Sequence, residues 1–305
     1  MQIILQYYLF VIYFVRTDNS AQLRLNEERP KMRTVNANDL IIPISQKIKY
    51  ALTHVDERVL NNLKTAHINE SSPLCRWALG QIIENDEIAA KENAYACQDC
   101  GQAMLFVSLG QDLHVSGSLT DALNKAVETG YEDARKSVAD PLTRLNTKTN
   151  TPAIIHYDVV EGDALTVSFM AKGAGSENMC KTYMLTPSKG VRGIVDSVVD
   201  CVSKAGSSPC PPVILGVGVG GTMDLCALLS KKALVTEYIS EREDILELRN
   251  KILEDVNALG IGAQGFGGSI TALDAFVMTA PTHIGMMPVA VTIQCHSDLQ
   301  FTLEF

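Results

Sequence analysis

Apolar residues recur along this chain at two spacings, and the spacings alternate from segment to segment. From Asp56 the apolar positions Leu60, Leu63 and Ala66 fall three apart, which predicts a helix with one buried face. A second helix is predicted over Pro73–Glu92, with Trp77, Ile82 and Ile83 turned inward. Ala103–Leu109 is a continuous apolar run and reads as a buried strand. Ser118-Leu-Thr-Asp121 has the form of a capping box, and Leu119, Ala122, Leu123, Ala126 and Val127 give the helix after it an apolar face. Strands are predicted over Ala153–Val159 and Ala164–Ala171, split by the turn Glu161-Gly162-Asp163, with a glycine and serine loop over 173–178. A helix over Val191–Lys204 packs Ile194, Val198 and Val202. Val213–Val217 reads as a strand, followed by a glycine loop and a helix over Thr222–Lys232. Ser240-Glu-Arg-Glu243 is a second capping box, opening a helix that Gly260 can end. Two further strands, about 272–279 and 287–294, and a short tail close the chain.

Helices and strands are therefore intermixed, with no internal repeat and no low-complexity linker. This predicts an α/β (mixed α+β) fold in a single large domain over residues 32–305. Residues 1–31 are read apart from it. MQIILQYYLFVIYFV is an apolar run of 15 residues, short of the roughly 20 that span a bilayer as a helix. It has no basic leader and no small-residue cleavage site. It reads as an extension ahead of a start near Met32, outside the fold, with a signal anchor as the alternative.

The chain has 305 residues and a net charge of −9, with no run of Lys or Arg longer than two. Nothing in it tracks a phosphate backbone, so no nucleic-acid partner and no membrane partner are expected. Eight cysteines in such a length are too sparse for a disulfide-stapled secreted scaffold. A reducing, cytoplasmic setting leaves their thiols free for packing, metal binding or catalysis.

Three motifs invite chemistry. Gly216-Val-Gly-Val-Gly-Gly221 fits GxGxxG between a strand and a helix, the setting of a dinucleotide site. Glu237 is the sole acidic residue near the required distance, and its flanks read poorly as a strand. The other reading is a tight turn whose N–H groups could hold an anion. Cys97-Gln-Asp-Cys100 is a CxxC pair with no second pair to complete a zinc site. It leads into a strand, where a thioredoxin-like pair would open a helix. Cys210 lies between Pro209 and Pro211-Pro212, and Cys295 ends an apolar strand. Separations of 113 and 85 residues between Cys97, Cys210 and Cys295 suit a cluster of ligands assembled by folding.

Four stretches then resemble one family. ACQDCG resembles the ACQDTG motif of class I, iron–sulfur fumarate hydratases, and GAGSENM (173–179) resembles their GGGSENM. SPCPPVILGVGVGGTMD (208–224) and APTHIGMMPVAVTIQCH (280–296) resemble their NPCPPIIVGVGIGGTFD and PTHIAGLPVAVNISCH. The resemblance runs from about Met32 to His296 and extends to the L-tartrate dehydratase α subunits of the same family.

The resemblance implies a [4Fe–4S] cluster on Cys97, Cys210 and Cys295. Cys100 stands where the family has threonine and Cys180 where it has serine, so neither is expected to be a ligand. Cys75, Cys201 and Cys226 fall on predicted helices and read as core residues. Gln98 and Asp99 are implied substrate contacts, although Asp99 can also be a turn residue bonding its own backbone. Arg135 matches an arginine that grips a substrate carboxylate. Gly173 and Gly175 flank the place where backbone approaches substrate, with Ala174 replacing the middle glycine. His283 is the implied acid/base helper, beside Asp99 as a catalytic residue, while His114, His156 and His296 read as structural. The implied reaction is reversible dehydration of (S)-malate to fumarate, with L-tartrate to oxaloacetate as the alternative. A nucleotide-binding or thiol-redox protein is the third reading. Single-chain members carry their catalytic base in a further C-terminal half. This chain ends at Phe305, so a separate β subunit and an α2β2 heterotetramer are expected.

Overall fold

The computed structural model describes residues 32–305, and the apolar N-terminal run lies outside the described residues. In chain order the elements are β1 (Arg33–Asn36), α1 (Ile41–Thr53), α2 (Glu57–Asn69), α3 (Pro73–Glu92), β2 (Gln102–Gly110), β3 (Leu113–Ser116), α4 (Leu119–Gly130), β4 (Ile154–Val160), β5 (Leu165–Lys172), the single turn α5 (Ala174–Glu177), β6 (Lys181–Leu185), α6 (Gly190–Ala205), β7 (Val213–Gly220), α7 (Met223–Val235), α8 (Glu243–Asn257), β8 (Ala272–Ala280), β9 (Met287–Gln294) and β10 (Gln300–Glu304).

Local chemistry accounts for several boundaries. Ser72 Oγ accepts from Cys75 N–H and Pro73 stands at the first position of α3, a placement that sacrifices no helical hydrogen bond. Asn93, at φ 52°, ends that helix in the left-handed conformation. Ser118 Oγ caps α4 through Asp121 N–H, as its sequence predicts. Ser240 does not cap α8: the helix opens after Arg242, and Ser240 Oγ instead accepts from Arg242 N–H.

The strands form two four-stranded sheets, ordered β4-β2-β5-β10 and β8-β7-β9-β6, and a short parallel pair of β1 and β3. Alternation along β2 serves two cores. Leu105 and Val107 pack with α1 and α4, while Met104 and Phe106 face Ile214 and Phe276 of the second sheet together with α2, α3 and α7. Leu215 and Val217 of β7 pack away from that shared layer, against α6 and α8. Trp77 departs from its predicted inward placement. It is exposed on α3 and meets Phe266 edge-on, with ring centroids 6.3 Å apart.

The two sheets repeat one topology, which no sequence repeat announces. In each, a central strand pairs in parallel with an edge strand on one side and antiparallel with a third strand on the other. A fourth strand adds antiparallel to the third, and the fourth strands are exchanged: β6, which follows β5, joins β9, and β10, which follows β9, joins β5. The chain therefore crosses between sheets twice, just after β5 and just after β9.

The GVGVGG stretch is resolved by packing. Gly216 and Gly218 belong to the strand β7, not to a loop. A Cβ at either would stand 2.0 Å from a backbone carbonyl of α7, that of Ser230 or Cys226. These glycines let a helix lie close on a strand, so the motif's spacing is explained without a nucleotide.

Candidate metal centre and substrate cavity

The crossings and the starts of the central strands meet at one place. Cys97 lies in the loop before β2, Cys210 in the loop before β7, and Cys295 directly after β9. All three line one cavity of about 290 Å³, with Gln98, Asp99, Gly173, Gly175 and Gln294. They also line a second opening of about 400 Å³ on the side of Trp77, Gln264 and Phe266. All eight cysteines are free thiols. Burial pushes the Cys97 thiol up to about 11, only partly offset by Asp99 N–H, and Cys295, Asp99 and Cys210 add to the rise. Cys210 is raised by burial and then by Cys295. Three thiols are thus gathered where their thiolates repel one another. Cys210 is held at φ 55°, a conformation rare outside glycine.

Asp99 joins two of these segments. Its Oδ1 accepts from Gly101 N–H at 3.0 Å, the turn bond expected from sequence. Its Oδ2 accepts from Ala174 N–H at 2.8 Å, across to the chain leaving β5. Gly173 faces the same carboxylate: a Cβ there would lie 3.3 Å from Asp99 Oδ2.

The other cysteines are placed apart. Cys100 is 2% exposed and accepts from Arg135 N–H. Cys180 accepts from Ile293 N–H at 3.3 Å and does not line the cavity. Cys75, Cys201 and Cys226 are fully buried.

Two implied site residues are not brought to the cavity lining. Arg135 is exposed, beside the cysteine loop, with its backbone rather than its guanidinium touching Cys100. His283 is exposed in the loop between β8 and β9, its Nδ1 accepting from Gly285 N–H at 3.1 Å. β9 separates it from Cys295, and eight strand residues span roughly 25 Å at about 3.3 Å each.

Sequence reasoning missed two groups that shape the site. Gln294 lines the cavity and is 1% exposed; its Nε2 donates to Ala171 O at 3.3 Å and its buried Oε1 has no partner. Asn150, fully buried at φ 61°, donates to Gly101 O and accepts from Ser137 and Val138 N–H. It ties the Arg135 segment to the first cysteine loop.

Residues 43–304 match the sequence profile of the family described as fumarate hydratase (Fumerase). The chain belongs to that family. It is similar to a putative L(+)-tartrate dehydratase subunit alpha of Methanocaldococcus jannaschii, 38% identical over 273 residues that cover 86% of this chain and 94% of that protein. It is also similar to an L(+)-tartrate dehydratase subunit alpha of Escherichia coli, 29% identical over 260 residues, with 83% and 86% covered. Family membership fits the convergence of Cys97, Cys210 and Cys295, which come from three of the four resembling stretches.

Proposed function

We propose that this chain is the α subunit of an iron–sulfur hydro-lyase that dehydrates a small hydroxy dicarboxylate, L(+)-tartrate ahead of (S)-malate. The observation that carries the reading is the meeting of three free thiols, from segments far apart in sequence, on one cavity. No three His, Cys, Asp or Glu side chains among the described residues close around a single ion. Thiolates are the donors that hold iron–sulfur clusters, and three of them line this cavity. The donor set therefore fits a [4Fe–4S] cluster held by Cys97, Cys210 and Cys295, one thiolate short of the usual four. When bound, such a cluster supplies a Lewis-acidic iron that eases departure of the substrate hydroxyl.

Dehydration breaks a C–O bond and the C–H bond of the neighbouring carbon, and releases water. The chain's own groups serve the first half of this. Gln98 and the backbone at Gly173 and Gly175 border the cavity and are suited to orient the substrate. Asp99, with both carboxylate oxygens already accepting N–H bonds, is suited to hold the two walls in place rather than to remove the proton. Arg135 is exposed and its backbone N–H touches Cys100 of the first cysteine loop, so its guanidinium is suited to reach a substrate carboxylate, which a guanidinium grips with paired hydrogen bonds. The carbon-bound proton goes to a base supplied by a β subunit, in an α2β2 assembly. His283, at the far end of β9, serves a bound substrate only from another subunit. Among the described residues no helix is long and apolar enough to cross a membrane, and eight free thiols accord with a cytoplasmic enzyme.

Tartrate is placed first because the relatives cited above carry that substrate in their names; malate stands second on the family description. The test is kcat/KM of the anaerobically co-expressed α and β chains, with oxaloacetate formation read from L-tartrate and fumarate absorbance from malate. A higher value for L-tartrate supports the reading. A higher value for malate reverses the order, and activity on neither refutes both.

A further inference from the structure

The repeated topology gives each cavity residue a counterpart. A shift of 122 residues lays β5 (Leu165–Lys172) on β9 (Met287–Gln294) end to end. A shift of 112 carries Gln102, which pairs with Lys172, onto Ile214, which pairs with Gln294. The exchanged edge strands follow: the counterpart of β10 is β6, displaced by one residue. The same shifts act on the ligands. Cys97 maps to within one residue of Cys210, both in loops entering a central strand. Cys295, the residue directly after β9, maps onto Gly173, the residue directly after β5.

Four equivalent segments therefore surround the cavity, and three of them present cysteine. The fourth presents glycine. Gly173 has φ −70° and ψ 146°, values open to any L-residue, so its backbone does not call for glycine. A Cβ there would lie 3.3 Å from Asp99 Oδ2, and Gly173, Asp99 and the three cysteines line one cavity. The ends of β5 and β9 adjoin, since Gln294 Nε2 donates to Ala171 O. Position 173 thus borders the same space as Cys295.

We propose that Gly173 is the vacated fourth ligand position of a pseudo-symmetric cysteine cradle. The missing side chain leaves the bound cluster one protein ligand short and leaves room for the hydroxy acid at that corner. This rests on the cluster reading above.

The test uses the anaerobically reconstituted α and β complex as wild type, G173C and G173S. Iron retention is followed in air with excess EDTA. Electron paramagnetic resonance spectra of the reduced cluster are recorded with and without L-tartrate and malate. The expected result is iron loss several-fold slower in G173C than in G173S, and loss of any ligand-induced change in the G173C spectrum. Serine matches cysteine in size, so G173S controls for crowding against Asp99. A second variant moves the ligand: C295G alone should fail to hold iron, and C295G with G173C should regain it. Equal iron loss in G173C and G173S, or G173C failing to take up iron where G173S does, overturns the inference. A wild-type complex that binds no iron overturns the cluster reading itself, and the inference with it.

Discussion

Asn150→Ala should loosen the Arg135 segment from the first cysteine loop. Asn150 is fully buried and makes three hydrogen bonds: to Gly101 O at 3.0 Å, and from Ser137 and Val138 N–H at 2.7 and 3.2 Å. Ser137 is exposed, and its N–H can turn to water. Val138 N–H and Gly101 O cannot, and each buried polar group left without a partner costs about 1–3 kcal/mol. Alanine at φ 61° adds about 1 kcal/mol, since asparagine tolerates the left-handed region and alanine does not. The total is about 3–7 kcal/mol, a large part of the 5–15 kcal/mol typical of a domain. Asn150→Asp keeps the acceptor and loses the donor to Gly101 O, so it should fall between wild type and Asn150→Ala. The assay is equilibrium urea unfolding of the purified chain without oxygen, read as a lowered midpoint at unchanged slope. On the role proposed for Arg135, which rides on the freed segment, KM of the co-expressed α and β chains should also rise. A loss under about 1 kcal/mol for Asn150→Ala would refute the reasoning.

Gly218→Ala should destabilise the chain by about 3 kcal/mol or more, because its Cβ meets the Cys226 carbonyl of α7; a thermal midpoint unchanged from wild type would contradict the close packing of α7 on β7. Glu70 is fully buried; burial pushes its carboxyl up, but hydrogen bonds from Ser72, Cys75 and Ser269 outweigh this and hold it at about 2. Its folded value is depressed below 4.5, so its stabilisation, about 3 kcal/mol, is present above that pH and fades as pH falls toward about 2. The urea midpoint gap between wild type and Glu70→Gln should accordingly narrow from pH 7 to pH 3, and a gap constant with pH would count against it. Trp77, the single tryptophan, borders the opening that the three cysteines share. Its fluorescence should fall when iron and sulfide are incorporated and stay unchanged when Cys210→Ser is treated the same way.

Much of the fold is legible because burial leaves a period in the sequence. α3 and α4 stand where the apolar spacing and caps put them, and β2, β5 and β9 are near-continuous apolar runs. Short or polar-faced elements left no such signal: β6 and β10 are half-exposed edge strands, and α5 is one turn long. Trp77 was misplaced by hydrophobicity alone, since its partner Phe266 lies 189 residues away in sequence. Cys210 and Cys295 are legible as candidates through proline and strand-end context, which marks backbone that cannot be helical. Gly173 as a counterpart of Cys295 was invisible in sequence, because the repeat lies in strand pairing and not in residue identity. The placing of His283 across β9 from Cys295 likewise needs the strand's length in space.

On the proposed function, Cys97, Cys210 and Cys295 together hold a cluster that Cys100 and Cys180 do not. The direct measurement is iron and acid-labile sulfide per chain after anaerobic reconstitution, in wild type and in five single Cys→Ser variants. Wild type, Cys100→Ser and Cys180→Ser should hold about four irons and four sulfides, and Cys97→Ser, Cys210→Ser and Cys295→Ser should lose them. Full iron in Cys210→Ser, or none in wild type, would contradict it.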